Sequence, residues 1–375
     1  MTQQTETLII GAGPAGLAMA GRLRKANLPF EIIEQSGELA TSWKHHYDRV
    51  HLHTVKQFSH LPFLPFPKEY PRYVPRKLFV AYLEDYARHF DIKPTLNQQA
   101  QHIGREGHSW RVATKEGEIW KADRVILCTG VNHKPFIPPL AGSEGFRGSI
   151  IHSKFYQNPA PYQGKKVLVV GMGNTGAEVA LDLCEQGVEV ALSVRGPVNI
   201  IMRDTLGRPV QLTSMLLSKL PTPLGDAIGR FLGKLTVGDL SPYGLHRPDM
   251  APSRQLRTLG KTPVIDVGTI SRIKKGEIMV FSGIEKISEN EVVFTDGKTA
   301  HFDAIILATG YAPQLTGLVE GIGPALNAQA TPKSLWVEEV PNLYFLGFDV
   351  YSSGILHGIN KDSGLIADHI QQHLK

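Results

Sequence analysis

Leu8-Ile9-Ile10-Gly11-Ala12-Gly13-Pro14-Ala15-Gly16-Leu17 is the stretch that decides the fold of this 375-residue chain. An apolar run leads into a Gly-x-Gly-x-x-Gly turn. A helical apolar period from Leu17 to Ala26 follows, and a second strand, Phe30 to Ile33, ends in Glu34. This order predicts strand, glycine turn, helix and strand, the opening of a dinucleotide-binding βαβ unit. Gly11 would make the tight bend, Gly13 would let backbone approach a pyrophosphate, and Gly16 would let helix and strand pack closely. Pro14 and Ala15 carry the turn into a helix N-terminus, whose unpaired N–H groups and partial positive charge suit phosphate.

The pattern returns. Val167 to Val170 is a strand, Gly171-Met172-Gly173-Asn174-Thr175-Gly176 the turn, Ala177 to Glu185 the helix and Val188 to Val194 the second strand. A hairpin element recurs as well, Arg111 to Gly117 and then Val292 to Gly297. Each hairpin precedes an aspartate, a buried-strand run and Thr-Gly: Asp123 and Asp303, Val125-Ile126-Leu127 and Ile305-Ile306-Leu307, Thr129-Gly130 and Thr309-Gly310, all 180 positions apart. One architectural unit therefore occurs twice. The expected fold is α/β, with two Rossmann-like dinucleotide-binding domains, the second inserted in the first. The first domain is expected over 1–157 and 312–375, completed by a returning strand at Asn342 to Gly347. The second is expected over 158–311, with a helical insertion at about 196–262 that either roofs a pocket or is a packed excursion.

The two fingerprints differ where their second strands end. Glu34 lies 23 residues after Gly11, where a carboxylate accepts hydrogen bonds from ribose hydroxyls. The same count from Gly171 reaches Val194, flanked by Ser193 and Arg195. With no acid there, Arg195 can fork onto a 2′-phosphate that a carboxylate would repel. The first site thus suits a cofactor with free ribose hydroxyls and the second NADPH; two such sites in one chain fit FAD plus NADPH, with the flavin in the N-terminal domain that the C-terminal tail closes. Thr129-Gly130 and Thr309-Gly310 are expected at the chain crossings, close to bound cofactor, with Tyr311 beside the second.

Composition closes other routes. The net charge of +5 is scattered, so nucleic acid is not an expected partner. Leu8 to Gly21 has the length of a signal peptide, but Glu6 precedes it and glycines and a proline interrupt it. No stretch reaches 18 apolar residues, so no membrane span is expected. Cys128 and Cys184 form no Cys-x-x-Cys pair and lie in apolar runs. Both are expected buried and inert, in a reducing cytoplasm. A homodimer is left open. His51 and His53 have no carboxylate or Cys to complete a ligand set, so no metal is expected.

Phe146-Arg147-Gly148-Ser149-Ile150-Ile151-His152-Ser153-Lys154-Phe155-Tyr156 resembles the Phe-x-Gly-x-x-x-His-x-x-x-Tyr/Phe signature of flavin-containing monooxygenases and lies between the fingerprints, as it does there. Leu307-Ala308-Thr309-Gly310-Tyr311 resembles that family's second hallmark. Gly173 to Leu183, Tyr47-Asp48-Arg49, His53 to Phe58, Gly244 to Pro248 and Gly260 to Gly268 are similar to its YUCCA branch, which in plants converts indole-3-pyruvate to indole-3-acetate. The similarity spans nearly the whole chain. It implies that NADPH reduces FAD and that O2 adds at the flavin C4a carbon to give a peroxide. That peroxide attacks heteroatoms when protonated and carbonyl carbons when not. Many family members carry Asn where His53 stands here, near flavin and nicotinamide, so amine-oxidising specificity does not transfer directly. Ser42, Trp43 and His53 are the expected neighbours of the flavin. For Trp43 the alternative is a core aromatic, and for His53 a core histidine bonded to a backbone carbonyl.

The expected function is NADPH-dependent insertion of one oxygen atom from O2 into a small-molecule substrate, an aryl 2-oxo acid such as indole-3-pyruvate. Alternatives are sulfoxidation or N-oxidation of thioethers or amines, Baeyer–Villiger oxidation of ketones, and a flavin/NADPH-binding sensor without turnover. A disulfide reductase on this fold would need a redox cysteine pair, which the sequence lacks.

Overall fold

The computed structural model describes residues 2–132, 134–205, 207–312, 314–349 and 352–374. The chain divides into two compact units. One comprises Met1–His45, Thr54–Lys134 and Tyr311–Lys375; the other comprises His46–His53 and Pro135–Gly310.

The first unit is built on a six-stranded sheet ordered Glu31–Ile33, Thr2–Ile10, Ile119–Leu127, Ser109–Thr114, Ala100–Glu106, with Leu343–Phe345 also pairing with Ile119–Leu127. The pairs made by Thr2–Ile10 are parallel, as is the returning strand, which sets Phe345 opposite Leu127. Parallel strands are covered on both faces and so read as unbroken apolar runs. Leu8, Ile9, Val125, Ile126 and Leu127 are accordingly fully buried. Helix α1 (Pro14–Lys25) begins on Pro14, whose missing N–H costs nothing at that position, and ends on Arg22, Arg24 and Lys25, which complement the carbonyl end. The short helix α2 (Thr41–Lys44) and helix α3 (Arg76–His89) complete the part of this unit nearest the fingerprint in sequence.

In the second unit a five-stranded sheet runs Ile278–Phe281, Glu189–Ser193, Lys166–Val170, Ala304–Leu307, Ser149–His152, parallel throughout. Helix α4 (Asn174–Glu185) follows its glycine turn, and a small antiparallel sheet, Ile284–Ser288 with Glu291–Phe294 and Thr299–His301, carries the second hairpin. The insertion contains helices α5 (Val210–Leu217), α6 (Thr222–Val237) and α7 (Pro252–Leu259). Helix α6 turns Asp226 inward, where Arg257 and Ser253 bind it, and leaves Leu224, Phe231 and Leu235 exposed.

Three expectations shift. Residues 135–157 belong to the second unit, because Ser149–His152 is the edge strand of its sheet, in register with Ala304–Leu307. Tyr311 belongs to the first. Residues 46–53 leave the first unit and pack with the second, where Tyr47 and Val50 join the core formed by Tyr156, Val169, Ala180 and Leu183. The cysteines also differ from each other. Cys128 is buried, and burial raises its thiol pKa; Cys184 is only partly buried, with Sγ 3.9 Å from the Glu277 carbonyl.

Candidate functional site: two glycine cradles and a strap on helix α4

The two glycine turns are near copies. Gly11 has φ +106° and Gly171 φ +103°, a region that a side chain would strain. A Cβ on Gly11 would lie 2.7 Å from the Cys128 carbonyl oxygen, and one on Gly171 2.6 Å from that of Ala308. The third glycines are tighter still. A Cβ would meet the Gly11 carbonyl oxygen at 1.8 Å on Gly16, and the Gly171 carbonyl oxygen at 2.0 Å on Gly176. Gly13 and Gly173 are the opposite case: a Cβ on either meets nothing within 4 Å. Each is the N-cap of its helix, and no side chain caps that end. Both helix N-termini therefore present free N–H groups to open space, the arrangement that receives a pyrophosphate.

Around the first cradle, Ala15 is buried and Gly347 of the returning strand's loop, at φ +85°, passes so close that its Cβ would lie 3.0 Å from the Ala15 Cβ. The Glu34 carboxylate accepts from the Ala12 backbone N–H at 2.8 Å and from the Ser36 N–H and hydroxyl. It thus ties the glycine turn to the strand end. A carboxylate has about four acceptor positions, and three are used here, so acceptor capacity remains. Ser42 is exposed on α2. Trp43, on the same helix, packs edge-on against Phe79 with centroids 4.5 Å apart. Thr129 is half-buried and Gly130, at φ +71°, is exposed.

Around the second cradle, Thr175 sits half-buried in the first turn of α4. The Asn174 side chain accepts from the Ile265 N–H at 2.7 Å and so pins strand Val264–Asp266, beyond the insertion, to the start of α4. Ser193 is buried and donates its hydroxyl to the Ser282 carbonyl at 2.7 Å, a structural role. Arg195 is exposed, its stem against Gly283, and its guanidinium has no hydrogen bond or ion pair among the described residues. Thr309 donates to the Phe136 carbonyl, and Gly310 has φ +84°. Burial raises the Tyr311 pKa.

The signature stretch ties this unit together. Gly148 lies against the Asp303 carbonyl, where a Cβ would stand 2.2 Å from the oxygen. His152 is buried; its Nδ1 accepts from the Lys154 N–H at 3.1 Å and its Nε2 lies 3.0 Å from the Gly310 carbonyl. Those two bonds require a neutral ring, and burial accordingly lowers the His152 pKa. Tyr156 donates to Asp182 at 2.7 Å inside the core. Burial lifts both of these groups above their usual ranges.

His53 is bonded not to a backbone carbonyl but to a buried carboxylate, with Nε2 on Glu178 Oε1. Glu178 lies on α4, and the Tyr47 pKa is raised by burial and then by the Glu178 charge. Arg49 pairs with Glu185 on the same helix. Glu178 is the residue that pattern reading missed. It stands two positions after Gly176, and the row Glu178, Asp182, Glu185 on one face of an otherwise apolar helix was the available signal. Among the described residues no three His, Cys, Asp or Glu side chains gather as a metal site, and no helix is long and apolar enough to cross a membrane.

A family model described as "Flavin-binding monooxygenase-like" matches residues 6–331. Among curated relatives, Indole-3-pyruvate monooxygenase YUCCA6 of Arabidopsis thaliana is 43% identical over 317 residues, covering 82% of this chain and 76% of that protein. Indole-3-pyruvate monooxygenase YUCCA1 of Oryza sativa subsp. japonica is 38% identical over 330 residues, covering 87% and 81%. Among solved structures, a flavin-containing monooxygenase from Stenotrophomonas maltophilia superimposes with a TM-score of 0.76 over 100% of both chains at 20% identity, a likeness of fold.

Proposed function

This chain belongs to the flavin-binding monooxygenase family, and from that premise we propose that it oxygenates an aryl 2-oxo acid of the indole-3-pyruvate type. It is an NADPH-dependent flavin monooxygenase, with FAD and NADPH as cofactors. The substrate reading rests on one observation: 43% identity to an indole-3-pyruvate monooxygenase across 82% of the chain.

The residues present fit both cofactors. Gly13 and Gly173 face open space at uncapped helix N-termini, where any larger residue would fill the path of a pyrophosphate. We assign the first cradle, with Glu34, to FAD and the second, with Arg195, to NADPH. Glu34 stands ready for ribose hydroxyls, and the unpaired Arg195 for a 2′-phosphate. Bound flavin supplies the activation of O2, and the chain supplies orientation and proton control. Within this reading Ser42 and Trp43 line the flavin side, and His53 is the group that holds or moves a proton at a ring nitrogen near the reacting oxygen. A carbonyl carbon needs a nucleophilic oxygen and a thioether an electrophilic one, so a titratable ring biases the outcome where an asparagine would not. The two free cysteines suit a reducing cytoplasm.

The test compares indole-3-pyruvate with a methyl aryl sulfide under air and NADPH, following 18O by mass. Faster formation of the decarboxylated acid supports the proposal. Sulfoxide, with only unproductive NADPH consumption on the oxo acid, overturns it in favour of heteroatom oxidation. Flavin that NADPH does not reduce would indicate a sensor.

A further inference from the structure

Residues 46–53 are flanked on both sides by chain of the first unit, yet pack with the second. Helix α4 holds them. Glu178, Asp182 and Glu185 are spaced by four and then three residues, so they lie along one helix face. Each is engaged: Glu178 by His53, Asp182 by Tyr156, Glu185 by Arg49. The Glu178 side chain is only 5% exposed, and an acid that deeply buried is costly unless every lone pair is used. The same helix begins at the second cradle, the site proposed above for NADPH, while its flank holds residues 46–53.

We infer that Glu178 is a positioning residue for His53, fixing its tautomer so that Nδ1 is the nitrogen presented for proton exchange. The inference rests on the role proposed above for His53. An ionised carboxylate only accepts hydrogen bonds, so the His53 nitrogen facing it must carry a hydrogen. In the neutral imidazole that places the lone pair on Nδ1. Nδ1 has no hydrogen bond among the described residues, and the ring is 17% exposed. Tyr47 keeps its proton, because burial and the charge of Glu178 hold its pKa high. Glu178 thus orients His53: a base oriented by a neighbouring group. The other charged groups near the pair are Arg49, Asp182 and Glu185, each already bonded to a different partner. The neighbouring His51 is turned to the Arg49 carbonyl.

The test uses the full-length, flavin-loaded enzyme and has a readout besides turnover. Side-chain 15N shifts of histidine-labelled protein, with His53→Asn to assign the resonance, report which nitrogen bears the hydrogen. The expected tautomer is Nε2–H. Finding Nδ1–H in the unmodified enzyme overturns the inference without any variant. Glu178→Ala should give a tautomer mixture and move the product ratio, oxo-acid product against sulfoxide, in the same direction as His53→Asn. The double variant should lose no more than His53→Asn alone, since residues acting as one unit are not additive. Glu178→Gln keeps an acceptor oxygen and should recover the Nε2–H signal that Glu178→Ala loses. A Glu178→Ala enzyme with unchanged tautomer and ratio, beside an altered His53→Asn, overturns the role of Glu178 alone. An unchanged ratio in His53→Asn overturns both that role and the one proposed for His53.

Discussion

Gly13 and Gly16 stand three residues apart in one turn and should fail in opposite ways. At Gly13 the backbone has φ −83° and ψ −170°, extended values that any residue adopts, and a Cβ there meets nothing within 4 Å. Gly13→Val should therefore fold with a stability within about 0.5 kcal/mol of the parent, as for a surface change that touches nothing. What it removes is room for the ligand. A pyrophosphate displaced from two helix-terminal N–H groups forfeits two charge-assisted hydrogen bonds of about 1.5–3 kcal/mol each. Their sum corresponds to a loss of roughly 10²- to 10⁴-fold in Kd. Gly16→Val instead drives a carbon to 1.8 Å from the Gly11 carbonyl oxygen, with backbone on both sides. Neither partner can rotate away, so the cost falls on the fold, at about 3 kcal/mol or more by the standard of severe overpacking.

The assay is flavin per chain by absorbance, read beside a thermal melt. Gly13→Val should be colourless with a near-parental melt of the flavin-free protein. Gly16→Val should melt early or be insoluble. A folded Gly13→Val protein carrying a full complement of FAD would refute the assignment of this turn to pyrophosphate. A stable Gly16→Val protein would refute the packing argument, and the same contrast applies to Gly173 and Gly176, whose geometry is nearly identical.

Three further outcomes follow from single contacts. Arg195→Ala should weaken NADPH roughly ten- to a hundredfold while sparing NADH, since one charge-assisted phosphate contact is worth about 1.5–3 kcal/mol; titration of both coenzymes checks this, and a retained preference means another residue reads the phosphate. Asp182 has a raised folded pKa, so it stabilises below the unfolded value and that stability is lost as pH rises through the folded one. Asp182→Asn keeps an acceptor for Tyr156 and should match or exceed the parent in Tm at pH 7, with the advantage shrinking toward pH 4; a large loss at pH 7 would contradict this. His152 has a lowered folded pKa, so its contribution is present above the unfolded value and lost as pH falls through the folded one. His152→Gln should cost about 1–2 kcal/mol at pH 7 for its lost bonds and show a flatter decline in Tm from pH 7 to 5 than the parent; an equally steep decline places the acid sensitivity elsewhere.

Sequence patterning reached as far as local rules extend. The glycine turns, their strands and the hairpin-to-strand repeat are short-range patterns, and the sheets carry them in matching positions. The contrast between Glu34 and Arg195 was legible because Glu34 lies 23 residues after Gly11 and Arg195 adjoins the matching position after Gly171. What patterning could not reach is long-range. Nothing local to 46–53 reveals that it leaves its flanking unit, because its anchors Glu178 and Glu185 are 125 and 136 residues away. The burial of Asp226 beneath an exposed Leu and Phe face likewise depends on Arg257, 31 residues on. Ser193 and Asn174 fitted the coenzyme pattern by position, yet both side chains are bonded to backbone of their own unit.

The signature stretch 146–156 marks the family most specifically, and its contacts show why specificity of a motif is not chemistry. Its glycine admits the Asp303 carbonyl, its histidine ties residues 152–154 to Gly310, and its tyrosine satisfies a buried acid on α4. Each contact joins the segment that enters the second unit to a different part of it: the start of the strand at Ala304, the exit at Gly310 and helix α4. A substitution at any one of them loosens entry, exit or helix, and both side chains, His152 and Tyr156, are engaged in these contacts. His152 has both ring nitrogens occupied and must stay neutral, and Tyr156 is held protonated by burial. The ring for which we propose a proton role is a different one, His53, which the sequence places more than ninety residues before the signature and which bonds to Glu178 on α4.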